Sequence, residues 1–112
     1  MKILVFAGTT EGRRIAEYLN DTVADSYVSV ATEYGGRLLE EYQHLHLLTG
    51  RMDEDDITAF LSEKKIDLVI DATHPFAVLV TGNIKRACER AEVRYLRCLR
   101  EEEHLAEEID PI

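Results

Sequence analysis

Lys2 to Ala7, KILVFA, form a continuous apolar run rich in β-branched and aromatic residues and closed by Gly8, the pattern of a strand buried on both faces. Ile66 to Ala72 repeat that pattern. The two runs predict the central strands of a sheet. Glu11 to Asn20 places Ile15, Ala16 and Leu19 at helical spacing, with Glu11 in the first turn, where its charge complements the helix dipole. Tyr27 to Ala31 alternates, Val28 and Val30 falling on one face, and predicts a second strand. A helix follows over about 34–42, its start blurred by Gly35 and Gly36. His44 to Leu48, HLHLL, alternates as a third strand with His44 and His46 facing one side. DEDDITAFLSEKK predicts a helix with an acidic first turn and a basic last turn. Beyond Ala72, Thr73-His74-Pro75 leads into a helix with Ala77, Val80, Ile84 and Cys88 on its buried stripe and Pro75 at its first position. Arg94 to Leu99 is a fifth, weaker strand.

Five strands alternating with four helices through short loops predict a doubly wound α/β domain, a parallel sheet with helices on both faces. Its order is either Rossmann-like or flavodoxin-like. Residues 1–99 form this single domain, and 100–112 an acidic tail or the start of a linker. The length of 112 residues leaves little for a second core.

Charge narrows the partners. A net charge of -9, from 22 acidic and 13 basic residues with no basic stripe, argues against unspecific binding to nucleic acid or to an anionic membrane. Cys88 and Cys98 have no C-x-x-C pairing and no histidine at a metal-finger spacing, so they are expected as reduced, small buried hydrophobes, with no metal site. The N-terminal apolar run is too short for a signal peptide core or a membrane span, and a cytoplasmic protein is expected.

In doubly wound folds ligands bind at the carboxyl ends of the strands, which points to the loops 8–13, 32–37, 49–51 and 73–76. The first offers Gly8 and Gly12 for close backbone approach, the hydroxyls of Thr9 and Thr10, and free amides at a helix start, the makings of a phosphate site. It lacks the middle glycine of G-x-G-x-x-G and the lysine of a P-loop, so a tight turn without ligand is the competing reading. Glu33, at the end of the second strand, stands where a dinucleotide site carries an acid for the ribose hydroxyls, favouring NADH; Arg37 or Arg13 would instead answer a 2′-phosphate. Both are otherwise solvated surface charges. His74, after a buried strand and before a proline, either donates a hydrogen bond or proton or only shapes its loop. No Ser or Cys sits in a nucleophile elbow.

The stretches AGTTEGRRIAEYL, SVATEYGGRLL, TGRMDEDDITAFL and IDLVIDATHPFAVLVTGNIKRACERAEVRYLRCLRE resemble, in order and spacing, the N-terminal half of the precorrin-6A reductases of cobalamin biosynthesis. DATHPFA, Asp71 to Ala77, is the most specific element, and the G-T-x-E-G-R run from Gly8 to Arg13 the second. The resemblance implies reduction of one double bond of precorrin-6A, a tetrapyrrole, or of its cobalt form, by hydride from NADH or NADPH. It implies a second α/β lobe, with the active site between lobes. By the same resemblance Gly8, Thr9, Thr10, Glu11, Gly12 and Arg13 lie at the cofactor phosphates, and Thr32, Gly35 and Arg37 at the adenosine side. Asp71, Thr73, His74 and Phe76 face the nicotinamide and the corrinoid, and Arg13, Arg51 and Arg97 clamp substrate carboxylates. A non-catalytic nucleotide-binding or regulatory module is the alternative; it would need the 8–12 loop but not the 73–76 loop.

Overall fold

The computed structural model describes residues 1–7, 10–20, 25–30 and 45–98. Within them the order is β1 (Lys2–Phe6), α1 (Thr10–Asn20), β2 (Asp25–Val30), β3 (Leu45–Thr49), α2 (Glu54–Glu63), β4 (Leu68–Asp71), α3 (Val78–Ala91) and β5 (Arg94–Arg97). The five strands form one sheet in the order β3-β2-β1-β4-β5, with every pairing parallel. That is the Rossmann-like alternative, with the chain reversing direction across the sheet between β1 and β4. The helix expected over about 34–42 and the tail 100–112 lie outside the described residues.

β1 is apolar throughout because both of its faces are covered. Leu4 and Phe6 point into a core completed by Val69, Ile57 and Leu61 of α2, and Ile84 and Ala87 of α3. Ile3 and Val5 point the other way, into a second core with Val28, Val30, Ile70 and Leu19 of α1. β1 therefore sits between β2 and β4, Leu4 pairing with Tyr27 on one side and Val69 on the other. At the carboxyl edge the ladder continues one residue past the strands: the amides of Ala7, Gly50, Ala72 and Cys98 donate to Ser29, Val30, Phe6 and Asp71 carbonyls. The starts of the loops that follow β1, β3, β4 and β5 are thereby fixed to the sheet.

Three local expectations are corrected. Pro75 is not the first helical residue: the Ala77 amide donates to the His74 carbonyl at 2.9 Å, closing a turn, and α3 begins at Val78. The later start rotates the buried stripe, so Ile84, Ala87 and Cys88 face the core while Val80 is 41% exposed. Thr81 takes the inward position of that first turn, bonded to Asp71. The basic last turn of α2 is absent, because the helix ends at Glu63, with Lys64 as its cap and Lys65 beyond it at φ 54. Its acidic first turn is as expected, with Glu54, Asp55 and Asp56 there, and the structure adds a reciprocal capping box between Asp53 and Asp56.

Candidate functional site

The β1–α1 connection is shaped by a missing side chain. Gly12 is buried in the first turns of α1, and a Cβ there would lie 2.8 Å from both Cα and Cβ of Ala7. Only glycine lets α1 approach the end of β1 this closely, the role that one glycine of a dinucleotide fingerprint performs. The helix N-terminus is thereby held beside the carboxyl end of the central strand, which fits an anionic group. Thr10, Glu11 and Arg13 belong to the first turns of α1. Gly8, Thr9, Thr32, Glu33, Gly35 and Arg37 lie outside the described residues.

The β4–α3 connection is built from side chains. Asp71, the last residue of β4, has no exposed surface. Its Oδ1 accepts from the Thr73 amide at 3.1 Å, the Thr73 hydroxyl at 2.7 Å and Arg97 Nη1 at 3.3 Å. Its Oδ2 accepts from the Thr81 hydroxyl at 2.8 Å and the Tyr95 hydroxyl at 2.7 Å. Burial pushes this carboxyl up, but the bonds from Thr73, Tyr95 and Thr81 to its ionised form outweigh that and hold it below the usual aspartate value. The same cluster acts on its neighbours. Burial, then the bond to Asp71, raises the Tyr95 phenol. Burial, then the Asp71 charge, pushes the Cys88 thiol up to about 11, so Cys88 stays a thiol at neutral pH, in keeping with its place in the core.

From this base the loop presents His74 and Phe76, both exposed. The Phe76 amide donates to His74 Nδ1 at 3.1 Å, which assigns the hydrogen of the neutral ring to Nε2. The two rings lie 5.1 Å apart, centre to centre. Phe76 begins an apolar ledge: it is 86% exposed, Val78 74% and Leu79 76%. Large apolar side chains left this open at a strand end mark a contact surface.

The predicted residues are brought together only in part. Asp71, Thr73, His74, Phe76 and Arg97 form one constellation, since Arg97 Nη1 also donates to the Thr73 carbonyl at 2.8 Å. Arg51 is exposed after β3, at the opposite edge of the sheet from β5. Four strand spacings, about 19 Å, separate those edges, so Arg51 and Arg97 cannot grip one carboxylate. Asp71, expected to face the ligands, is instead fully covered by protein. Thr81 and Tyr95 were not singled out from sequence. The alternation of Arg94-Tyr95-Leu96-Arg97 was the available signal, because it sets Tyr95 and Arg97 on the same face of β5.

A parallel sheet in this order, with a glycine-fitted helix start after β1 and a pinned polar loop after β4, defines a doubly wound, Rossmann-like α/β domain. Residues 2–111 match the family model described as "Precorrin-6x reductase CbiJ/CobK", and the chain belongs to that family. It is 31% identical over 107 residues to a cobalt-precorrin-6A reductase of Methanocaldococcus jannaschii, covering 94% of this chain and 42% of the relative. It is 35% identical over 101 residues to the cobalt-precorrin-6A reductase of Salmonella typhimurium, covering 90% and 38%. Among solved structures, one titled "CobK precorrin-6A reductase" superposes with a TM-score of 0.75 at 31% identity, covering 87% of this chain and 38% of that one. Another, "AtPrR2 in apo form", shares the fold with a TM-score of 0.70 at 20% identity. The chain thus spans about two fifths of the length of these relatives, as their N-terminal part. No described helix is long and apolar enough to cross a membrane.

Proposed function

We propose that this chain is the N-terminal, dinucleotide-binding lobe of an NAD(P)H-dependent reductase that converts precorrin-6A, or its cobalt form, to the 6B form in cobalamin biosynthesis. The observation that carries this reading is the family match over nearly the whole chain, supported by a strand-end edge that offers both an anion-fitted helix start and a rigid polar loop.

The residues fit a dinucleotide. Gly8, Thr9, Thr10, Glu11, Gly12 and Arg13 would hold its phosphates at the start of α1, with Thr32, Glu33 and Arg37 at the adenosine side and Thr73 toward the nicotinamide. When bound, the reduced nicotinamide supplies the hydride that adds to one carbon of the double bond. The neighbouring carbon needs a proton. His74 carries a hydrogen on Nε2 and would donate it as a hydrogen bond to a substrate carboxylate; as the imidazolium, with Nδ1 also protonated and the bond from the Phe76 amide given up, it would give the Nε2 proton and return to a neutral ring. The ledge of Phe76, Val78 and Leu79 suits the apolar face of a macrocycle, and Arg97 suits a carboxylate on its rim. Arg51, on the far edge, is placed for a different side chain of so wide a ligand. A purely regulatory nucleotide module would have no use for the pinned 73–76 loop.

Calorimetric titration of the chain with NADH and NADPH tests the cofactor reading. One lobe supplies one wall of a cleft, so binding weaker than micromolar is expected. NADH should be slightly preferred, since Glu33 near the ribose repels a 2′-phosphate. Low-micromolar binding would refute the one-wall argument, equal or tighter NADPH binding would remove Glu33 from the ribose, and no heat from either at millimolar concentration would end the dinucleotide reading.

A further inference from the structure

We propose that Arg97 is a carboxylate receptor whose open edge is set in place by Asp71, a positioning residue that never touches the ligand. All four bonds of the Arg97 guanidinium to described residues use a single nitrogen. Nη1 donates to the Thr73 carbonyl at 2.8 Å and the Asp71 carbonyl at 3.0 Å, with longer contacts to Asp71 Oδ1 at 3.3 Å and the Thr73 hydroxyl at 3.5 Å. Nε and Nη2 bond to no described residue. Yet the side chain is only 22% exposed, against 54% and 48% for Arg86 and Arg90, whose guanidinium groups are engaged with Glu54 and Asp55. A half-buried guanidinium with N–H groups that no described residue uses favours an external acceptor. The Nε–Nη2 edge presents two parallel donors, the geometry that two carboxylate oxygens match.

Asp71 makes that edge available. Its Oδ1 takes both the amide and the hydroxyl of Thr73, which fixes the residue whose carbonyl anchors Nη1. Tyr95, two residues before Arg97 on the same face of β5, and Thr81 of α3 hold Oδ2 and so lock the carboxylate between three elements. With Nη1 tethered, the rotamer entropy of the arginine is lost before a ligand arrives. The buried Asp71 charge also cancels much of the long-range field of Arg97. Recognition then depends on directional paired hydrogen bonds to a planar monoanion rather than on bulk attraction to a phosphate. The proposal rests on the reductase reading only for the owner of the carboxylate, the rim of a tetrapyrrole.

Side-chain 15N NMR of the chain tests it. The Arg97 Nε–H signal, assigned by its loss in Arg97→Lys, is followed on adding uroporphyrin I, citrate or inorganic phosphate. Uroporphyrin and citrate should shift this signal, and Arg97→Lys should weaken uroporphyrin binding about tenfold, the low end of what a charge-assisted hydrogen bond contributes. Tyr95→Phe removes one donor from Asp71 and leaves the ligand edge intact. It should broaden the Arg97 Nε–H signal but not that of Arg86, and weaken binding about threefold while the thermal melt stays cooperative; a role in bulk stability alone would not single out Arg97. A shift with citrate but none with uroporphyrin would keep the receptor and overturn the tetrapyrrole reading. The receptor itself falls if phosphate alone shifts the signal, if no probe does, or if Arg97→Lys binds as the wild type does. Asp71 loses its positioning role if Tyr95→Phe leaves both the signal and the affinity unchanged.

Discussion

The connections after β1 and after β4 leave adjacent central strands at the same edge of the sheet, yet they are held by opposite means. After β1 the structure depends on an atom that is not there: Gly12 lets α1 press against Ala7, so the backbone of the helix start lies at the end of the strand. After β4 it depends on a buried carboxylate that gathers Thr73, Thr81, Tyr95 and Arg97 from the loop, α3 and β5. A backbone-built site suits a group that many proteins bind alike, such as a phosphate. A side-chain-built site can be specific to one substrate. Under the proposed function, that division assigns cofactor binding to β1–α1 and substrate selection to β4–α3.

Removing Asp71 should break the second region most severely. Asp71→Ala leaves Arg97, Tyr95 and Thr81 without their shared acceptor, and loss of one partner of a buried ion pair costs about 3–5 kcal/mol. Chemical denaturation would measure it; a loss below about 1 kcal/mol would mean that the network contributes little. The pH dependence gives an independent check. Because the Asp71 carboxyl is held below its unfolded value, its stabilisation is fully present above the ordinary aspartate pKa of about 3.9 and fades as pH falls through the lower folded value. The acid limb of the wild-type stability curve should therefore be steeper than that of Asp71→Ala.

His74 separates function from stability in the same region. It is exposed and held by one bond from the Phe76 amide, so His74→Asn should leave the melt nearly unchanged. In a reductase of full family length carrying this lobe, turnover should drop on the order of 10²-fold, the low end of general acid catalysis. Normal turnover with a normal melt would reduce His74 to a loop-shaping residue, the proton then coming from solvent.

How much of this was legible in sequence follows the same division. Local pattern revealed β1, β4, the acidic first turn of α2 and the alternation of strands with helices, because burial on two faces and the helix dipole leave signals within a few neighbouring residues. Gly12 and Asp71 were visible as residues of interest. The Asp71 hub was not, since Tyr95 and Arg97 lie 24 and 26 residues further along the chain and meet it only because β5 pairs with β4. The start of α3 was misplaced for a related reason. Pro75 fits a first helical position locally, but the bond from Thr81 to Asp71 fixes the inward face of the first turn.

Gly12 breaks the first region more mildly. In Gly12→Ala the new methyl meets Cα and Cβ of Ala7, which its amide bond to Ser29 holds to the sheet just past β1, and overpacking of this kind costs about 1–3 kcal/mol. At this chain length that is a fall in Tm of several degrees. The variant therefore tests packing, and any loss of dinucleotide binding must be judged against its melt.

The smallest effect should have the opposite sign, and it decides whether the cost at Gly12 is steric or a general property of glycines in these helices. Gly82 also lies inside a helix, α3, but the nearest atoms to a Cβ there would be those of the Arg86 guanidinium, its Nη1 3.2 Å away. That is the far end of a flexible side chain, and Arg86 can yield while keeping its 2.6 Å bond to Glu54 through Nε. Alanine reduces the backbone freedom of the unfolded chain and is favoured over glycine in a helix interior by about 0.5–1 kcal/mol. Gly82→Ala should accordingly raise Tm by a few degrees while Gly12→Ala lowers it, both measured in the same buffer. If both variants were destabilised alike, Arg86 would be too tightly held by Glu54 and Asn83 to move, and the contrast between a backbone wall and a yielding side chain would be lost.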